Sequence, residues 1–170
     1  MHKWKVLLIV LSDRISNNQF SDTAGEAIKN NLISNNFEVI NKLIIPDEYD
    51  LLKDLLIKWS NKDLESANLI LTIGGTGLSK RDITPQVTRE VIDLEIPGLT
   101  EFMRMKGHDI NPFSLLSRSI AGILNSTVII NLPGSLNGAS ESLVLVIDLL
   151  DHLLMQVNGK NDDVHIEPLL

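Results

Sequence analysis

The strongest constraint on the fold is the stretch from residue 68 to residue 85, NLILTIGGTGLSKRDITP. It opens with the apolar, partly β-branched run Leu69–Ile73, which predicts a buried strand. Three glycines follow within residues 74–77, and such a turn permits positive φ angles and close approach of another molecule to the backbone. Thr84 and Pro85 then predict a helix start, with threonine as N-cap and proline at the first helical position. This order favours anion binding at the carboxyl end of a strand.

The glycine turn also has a purely structural interpretation. The glycines then form only a tight turn, and Arg81 and Asp82 form a surface ion pair. The pattern fits neither the GxGxxG fingerprint nor the Walker loop, so a Rossmann cofactor and P-loop chemistry do not follow from it.

Apolar strands and amphipathic helices alternate along the whole chain. Strands are predicted over residues 5–11, 37–45, 69–73 and 127–132, and residues 114–122 are predicted as a short helix or a loop. Helices are predicted over residues 24–35, 85–94, 99–106 and 138–157, and another follows Asp47 with its apolar face between Leu51 and Trp59. The alternation predicts an α/β fold with a doubly wound, mostly parallel sheet. At 170 residues we expect one domain over residues 1–157, followed by a tail over residues 158–170.

The composition excludes several classes of function. The formal net charge of −7 argues against broad nucleic-acid binding. The chain has no cysteine, so thiolate catalysis and cysteine-based metal sites are excluded. The apolar run at residues 6–11 is too short for a signal peptide, and no run approaches the ~20 apolar residues of a membrane span. We therefore expect a soluble cytoplasmic protein.

Four predicted strands end in polar or glycine-bearing clusters. These are Ser12-Asp13-Arg14, Pro46-Asp47-Glu48, residues 74–77 and Pro133-Gly134-Ser135. The carboxyl ends of parallel strands lie along one edge of a sheet, so we expect these clusters to converge on one crevice. Backbone N–H groups in the two glycine turns suit phosphate binding.

The acidic and basic residues near these clusters predict the chemistry of the crevice. Asp47 and Asp82 are suited to hold Mg²⁺ between phosphate oxygens. Four basic residues are suited to neutralise an anionic ligand: Arg14, Lys80, Arg81 and Arg118. The residues alone therefore predict a phosphate-handling α/β enzyme that uses a divalent metal.

Several of these residues also have structural alternatives. Asp47 is a candidate cap for the helix that follows it, and Asp22 competes with Thr23 to cap the next helix upstream. Arg118 is interpreted equally well as a surface charge, since most arginines are exposed. Asp13 is a candidate for fixing its own loop.

The segment GGTGLSKRDITP resembles the GGTG-x3-RD-x-TP signature of the molybdopterin adenylyltransferases of molybdenum cofactor biosynthesis, which include the G domain of gephyrin. Five further stretches resemble the family in the same order: Ser12-Asp13 with Asp22 and Gly25, Ile45 to Glu48, Ile96-Pro97-Gly98, Leu116 to Ser119, and Ile130 to Gly134. The resemblance covers almost the whole chain. It implies a three-layer α/β/α fold and a homotrimer.

The resemblance also implies a reaction, in which molybdopterin and ATP, with Mg²⁺, give adenylylated molybdopterin and pyrophosphate. A downstream molybdenum-inserting protein would then receive the product. Asp47 and Asp82 would bind the magnesium and support catalysis. The nucleotide would be held by Gly74, Gly75, Thr76, Gly77, Pro133, Gly134 and Ser135. Four residues would lie around the pterin or the reacting phosphates: Ser12, Asp22, Ser117 and Arg118.

The chain departs from some relatives at residues 135–138, SLNG, where it lacks their lysine or proline. The alternative function is a non-catalytic, trimeric molybdopterin-binding scaffold of the same family. The intact Asp47 and Asp82 favour the enzyme over this scaffold. A related domain fused to a nicotinamide-mononucleotide amidase ranks last, since no second domain is predicted.

Overall fold

The computed structural model describes residues 3–17, 19–61 and 66–159. Most of the predicted tail, from residue 160 onward, lies outside the described residues. Within the described part of the chain, no helix combines the length and apolar character of a membrane span.

A six-stranded mixed sheet forms the centre of the molecule. Its strands are β1 (Lys5–Leu11), β2 (Glu38–Ile45), β3 (Leu69–Ile73), β4 (Leu94–Glu95), β5 (Ala121–Leu124) and β6 (Thr127–Leu132). Their spatial order is β2-β1-β3-β6-β5-β4. The first four of these run parallel, whereas β5 and β4 are antiparallel to their neighbours. The chain winds outward from β1 to β2 and then returns to place β3 on the other side of β1, which creates a topological switch point between β1 and β3.

The two antiparallel strands at the edge, β4 and β5, were not predicted from the sequence. Residues 114–122 were predicted as a short helix or a loop, but they contain the end of a 3-10 helix (Pro112–Leu116) and the beginning of β5. The helix predicted over residues 85–94 ends at Val91, because Leu94 and Glu95 pair with β5. Both strands are short, and short apolar runs do not distinguish strand from helix.

Six α-helices cover the two faces of the sheet in the described residues. They are α1 (Asp13–Ser16), α2 (Thr23–Ser34), α3 (Tyr49–Ser60), α4 (Thr84–Val91), α5 (Pro97–His108) and α6 (Leu136–Val157). Successive side chains of a strand point to opposite faces. The even-numbered side chains of β1, from Val6 to Val10, therefore pack with α2 and α6. The odd-numbered ones, from Leu7 to Leu11, pack with α3 and α4. The three-layer α/β/α architecture is confirmed.

The helix starts decide between the alternatives left by the sequence. Asp22 caps α2, since its Oδ1 accepts a hydrogen bond from the Gly25 N–H at 2.7 Å. The alternative in which Thr23 caps this helix is wrong. Glu48, not Asp47, is the N-cap residue of α3, so the interpretation of Asp47 as a helix cap is also wrong. Ile83 is the N-cap residue of α4 and Thr84 is its first helical residue, one position away from the prediction.

Candidate active site

The carboxyl ends of the four parallel strands meet at the switch point, as predicted. Gly74, with φ +107°, lies so close to β1 that a Cβ on it would be 2.4 Å from the Leu11 carbonyl oxygen. A Cβ on Gly134 would lie 3.2 Å from the Gly74 Cα, so the two glycine turns are in direct contact. Open α/β sheets bind their ligands at such a switch point. We refer to the space above these strand ends as the crevice.

Asp13 and Asp47 hold the ends of β1 and β2 together by reciprocal hydrogen bonds. The Asp13 N–H donates to Asp47 Oδ2 at 3.3 Å, and the Asp47 N–H donates to Asp13 Oδ1 at 3.1 Å. Asp13 therefore fixes its loop, as the structural alternative for this residue predicted. The contact also orients the Asp47 carboxylate.

The second oxygen of Asp47 is the most unusual polar atom of the site. Oδ1 is buried and has no hydrogen-bond partner among the described residues. Burial raises the pKa of the Asp47 carboxyl above its ordinary value, and the nearby charges of Asp13 and Asp82 act in the same direction. The hydrogen bond from the Asp13 backbone and the charge of Arg81 oppose this shift without cancelling it. A buried oxygen without a partner costs free energy, so it is a candidate ligand for a cation.

Asp82 closes the loop that follows the first glycine turn. Its Oδ2 accepts a hydrogen bond from the Ser79 N–H at 2.8 Å. A Cβ on Gly77 would be 3.0 Å from the same oxygen, so a side chain here would crowd the Asp82 carboxylate. The carboxylate is thereby placed against the glycine turn and acts electrostatically on Asp47.

Arg118 joins the crevice from the segment that precedes β5. Its Nε donates to the Gly77 carbonyl oxygen and its Nη2 to the Asp82 carbonyl oxygen, both at 2.6 Å. Its backbone N–H also donates to the Thr76 carbonyl oxygen at 3.0 Å. The alternative of a free surface charge is therefore wrong, because the guanidinium bridges Gly77 at the end of the glycine turn and Asp82 in the loop that follows it.

Two further contacts in the crevice were not predicted from the sequence. Arg81 forms a bidentate ion pair with Asp13, with its Nη2 2.7 Å from both carboxylate oxygens, and this pair lowers the pKa of Asp13. Thr84 Oγ1 donates to the Gly74 carbonyl oxygen at 2.9 Å and fastens the start of α4 to the glycine turn. The sequence contains these residues, but it does not show which of them pair, because the contacts depend on how the fold brings separate segments together.

The remaining predicted residues take various positions. Ser12 Oγ accepts from the Ile15 N–H and caps α1, while Ser135 Oγ accepts from the Gly138 N–H and caps α6. Ser117 shares a hydrogen bond with Ser119 at 2.8 Å between their hydroxyl oxygens. The structure does not bring Asp22 to the strand-end loops: its side chain is bound to Gly25 and Lys42.

Two cavities of ligand size lie beside these residues. The first cavity, of about 690 Å³, is lined by Arg89, Arg104, Ser117, Arg118 and Ser119 among others. The second cavity, of about 760 Å³, is lined by Phe113, Pro133, Ser135, Asn137 and Gly138 among others. Both volumes fall in the range of small-molecule sites. Of the residues predicted to surround the pterin, Ser117 and Arg118 line the first cavity, and of those predicted to hold the nucleotide, Pro133 and Ser135 line the second. Residues 74–77 line neither of these two cavities.

The carboxylates of Asp47 and Asp82 fit a magnesium ion whose other coordination positions would be filled by phosphate and water. No group of three acidic or histidine residues forms a ready-made metal cage in the described part of the chain. Mg²⁺ commonly takes only one or two carboxylates and fills its other positions with water and phosphate oxygens. The unpartnered Asp47 Oδ1 and the Asp82 carboxylate would provide such a half-site.

Comparison with known proteins assigns the chain to a family. The family described as "Probable molybdopterin binding domain" matches residues 7–152. The chain is 40% identical over 162 residues to a molybdopterin adenylyltransferase of Helicobacter pylori, covering 88% of this chain and 89% of that one. It is 33% identical over 169 residues to gephyrin of Dictyostelium discoideum, covering 93% of this chain and 23% of gephyrin. The crystal structure of the molybdopterin biosynthesis enzyme MoaB from Thermus thermophilus superposes with a TM-score of 0.85 at 44% identity, covering 92% of this chain and 97% of that one.

Proposed function

This chain belongs to the molybdopterin-binding domain family of molybdenum cofactor biosynthesis, and we propose that it is a molybdopterin adenylyltransferase. It transfers AMP from ATP to molybdopterin and releases pyrophosphate. The observation that carries the proposal is the buried, unpartnered Asp47 Oδ1, which faces a glycine turn at the switch point of the sheet. Buried polar atoms are normally paired, so this atom supports a site that a cation completes.

We propose that the two substrates occupy the two cavities described above, one lined by Arg118 and the other by Pro133. The nucleotide lies in the second cavity, beside Pro133 and Ser135, where α6 begins. The N-terminus of a helix and a glycine turn both favour bound phosphate. The pterin lies in the first cavity, where Ser117 and Arg118 contribute to the lining. The two ligands then meet over residues 74–77, to which Arg118 is bound through the Gly77 carbonyl oxygen.

The reaction needs positioning and charge neutralisation more than covalent participation of the protein. The terminal phosphate oxygen of molybdopterin attacks the α-phosphorus of ATP, and the bond from this phosphorus to the oxygen bridging to the β-phosphate breaks. The backbone N–H groups of the glycine turns and the start of α6 orient the phosphates for in-line attack. Asp47 and Asp82 would hold Mg²⁺, which would supply positive charge to the phosphate oxygens when bound. No protein nucleophile is required.

The test is pyrophosphate release from ATP with and without molybdopterin at a fixed Mg²⁺ concentration. Release that depends on molybdopterin is the expected result, and chelation of Mg²⁺ should abolish it. Molybdopterin binding without release of pyrophosphate would overturn the proposal in favour of the non-catalytic scaffold. The homotrimer, the cytoplasmic location and a downstream molybdenum-inserting partner stay predictions; sedimentation of the purified protein tests the first of these.

A further inference from the structure

A buried polar residue beneath the crevice, Asn131 of β6, connects four separate segments of the chain. Its Nδ2 donates two hydrogen bonds, one to Thr72 Oγ1 and one to Thr88 Oγ1, each at 2.9 Å. Its Oδ1 accepts from the Ile120 N–H at 3.2 Å, and its own N–H donates to the Ile120 carbonyl oxygen at 2.9 Å. The side chains of Asn131, Thr72 and Thr88 are fully buried.

Each of the four connected residues lies close in sequence to a residue of the crevice. The pairs are Thr72 with Gly74, Asn131 with Pro133, Ile120 with Arg118, and Thr88 with Thr84. The two glycine turns, the arginine clamp and the start of α4 are therefore all linked, within a few residues, to one amide group. Because this amide uses both of its N–H donors and its oxygen, a movement of one segment disturbs its bonds to the others.

We propose that Asn131 is a positioning residue for the transfer reaction, which sets the relative positions of the loops that form the crevice. It contacts no substrate, because it is fully buried below the strand ends. It acts through the Gly74 and Pro133 turns and through Arg118. The inference rests on the proposed function, since the reaction being positioned is the adenylyl transfer. In-line attack tolerates little displacement, and about 1 Å of misplacement can reduce the rate ~100-fold.

A matched pair of threonine variants separates positioning from stability. Thr88→Val removes one hydroxyl bonded to Asn131 without changing the shape of the side chain. Thr127→Val removes an equally buried hydroxyl, which donates to the Ala67 carbonyl oxygen at 2.7 Å, from the opposite end of β6. Thr88→Ser retains the hydroxyl and serves as the conservative rescue. All three variants are far less disruptive than truncation of Asn131 itself.

We expect Thr88→Val to lower kcat about 10-fold with KM for ATP and molybdopterin changed less than about 3-fold, since bound substrates would be misaligned rather than lost. Thr127→Val should keep native kcat despite a similar decrease in melting temperature, and Thr88→Ser should restore most of the rate. Equal kcat in the two valine variants, measured well below their melting temperatures, would overturn the inference.

A second measurement does not depend on turnover. In the ligand-free protein, the backbone amide NMR signals of Gly74, Gly75, Gly77 and Gly134 should shift together in Thr88→Val and stay in place in Thr127→Val. If the native protein releases no pyrophosphate, the proposed function fails while these signals still decide whether the Asn131 network positions the loops. Unmoved glycine signals in Thr88→Val would show that it does not.

Discussion

Replacing Asp47 by asparagine should make the protein more stable and almost inactive. The side chain keeps its size. Its carbonyl oxygen can still accept the hydrogen bond from the Asp13 N–H, which in the native protein is 3.3 Å from Asp47 Oδ2. The substitution removes a negative charge that burial disfavours and that lies near Asp13 and Asp82. The same substitution removes the proposed ligand for the cation. Stability and turnover should therefore change in opposite directions.

The magnitude of the stability gain follows from the exposure of the carboxylate. A buried polar group without a partner costs roughly 1–3 kcal/mol, and a charged one costs more. Asparagine leaves an unpartnered NH₂ group in the same place, so the substitution recovers only the part of the cost that is due to the charge. Asp47 is only partly buried as a residue, so we discount this to a gain of about 1 kcal/mol. For a chain of this size, such a gain raises the melting temperature by about 2–4 °C. Loss of a group that stabilises charge in the transition state should reduce turnover by at least ~100-fold.

The pH dependence gives an independent check of the sign. The pKa of Asp47 is higher in the folded protein than in the unfolded chain, so the folded protein binds this proton more tightly. The native protein is thus penalised at neutral pH, and the penalty disappears as the pH falls through the raised pKa toward the ordinary value of 3.8. The stability advantage of Asp47→Asn should be largest at neutral pH and should vanish in acid.

The assay is urea unfolding of both proteins in a chelating buffer at several pH values, combined with pyrophosphate release. Asp13→Asn is the matched control: Arg81 lowers the pKa of Asp13, so removal of that charge should decrease stability slightly, by under about 1 kcal/mol as for exposed ion pairs. A less stable Asp47→Asn variant, or one with native turnover, would refute the assignment of Asp47 as an uncompensated carboxylate held for a cation.

Three other variants test separate parts of the structure. Asp82→Asn should fold normally and lose at least ~100-fold in pyrophosphate release; near-native turnover would remove Asp82 from the site. Gly75→Ala should lower stability by about 2 kcal/mol and lower turnover, because φ is +63° and the new Cβ would lie 2.3 Å from Thr84 Oγ1. The control Gly98→Ala, which meets no atom within 4 Å, should not destabilise the protein. Burial opposes the charge of Lys42, but its hydrogen bonds to two acidic residues prevail and raise its pKa above 10.5. The free energy that charged Lys42 contributes to folding is therefore complete below pH 10.5 and is lost as the pH rises through the raised pKa. Unfolding curves of the native protein and of Lys42→Met should differ at pH 7 and converge in alkali.

The sequence predicted those parts of the site that depend on strand direction. Once β1, β2, β3 and β6 were recognised as parallel strands, their carboxyl ends had to lie at one edge, and the structure places Asp47 and both glycine turns there. The bounds of β1 were predicted to the residue, because a long apolar run bounded by polar residues is unambiguous.

The parts that were missed depend on contacts between distant segments. Residues 121–124 resemble either a strand or a buried helix turn, and only pairing with β6 through the Asn125 turn, with φ +56°, makes them a strand. The use of Arg118 as a clamp on two carbonyl oxygens has no sequence signal, since it requires a particular separation between residues 76–82 and its own segment. Side-chain partners of this kind are set by the packed fold rather than by local pattern.

The position of β3 in the centre of the parallel sheet also has a kinetic consequence. Leu69 pairs with Val6 on one side and with Val128 on the other, so both ladders join segments far apart in the chain. Such contacts require large loops to close before they become favourable, and proteins rich in them fold slowly. The turn at residues 74–77 lies between the end of β1 and the Gly134 turn that follows β6, so it has both of these neighbours only after β6 has docked. The crevice should therefore be incomplete until β6 has docked, and a chain arrested before that step would expose an unpaired edge of β3 to aggregation.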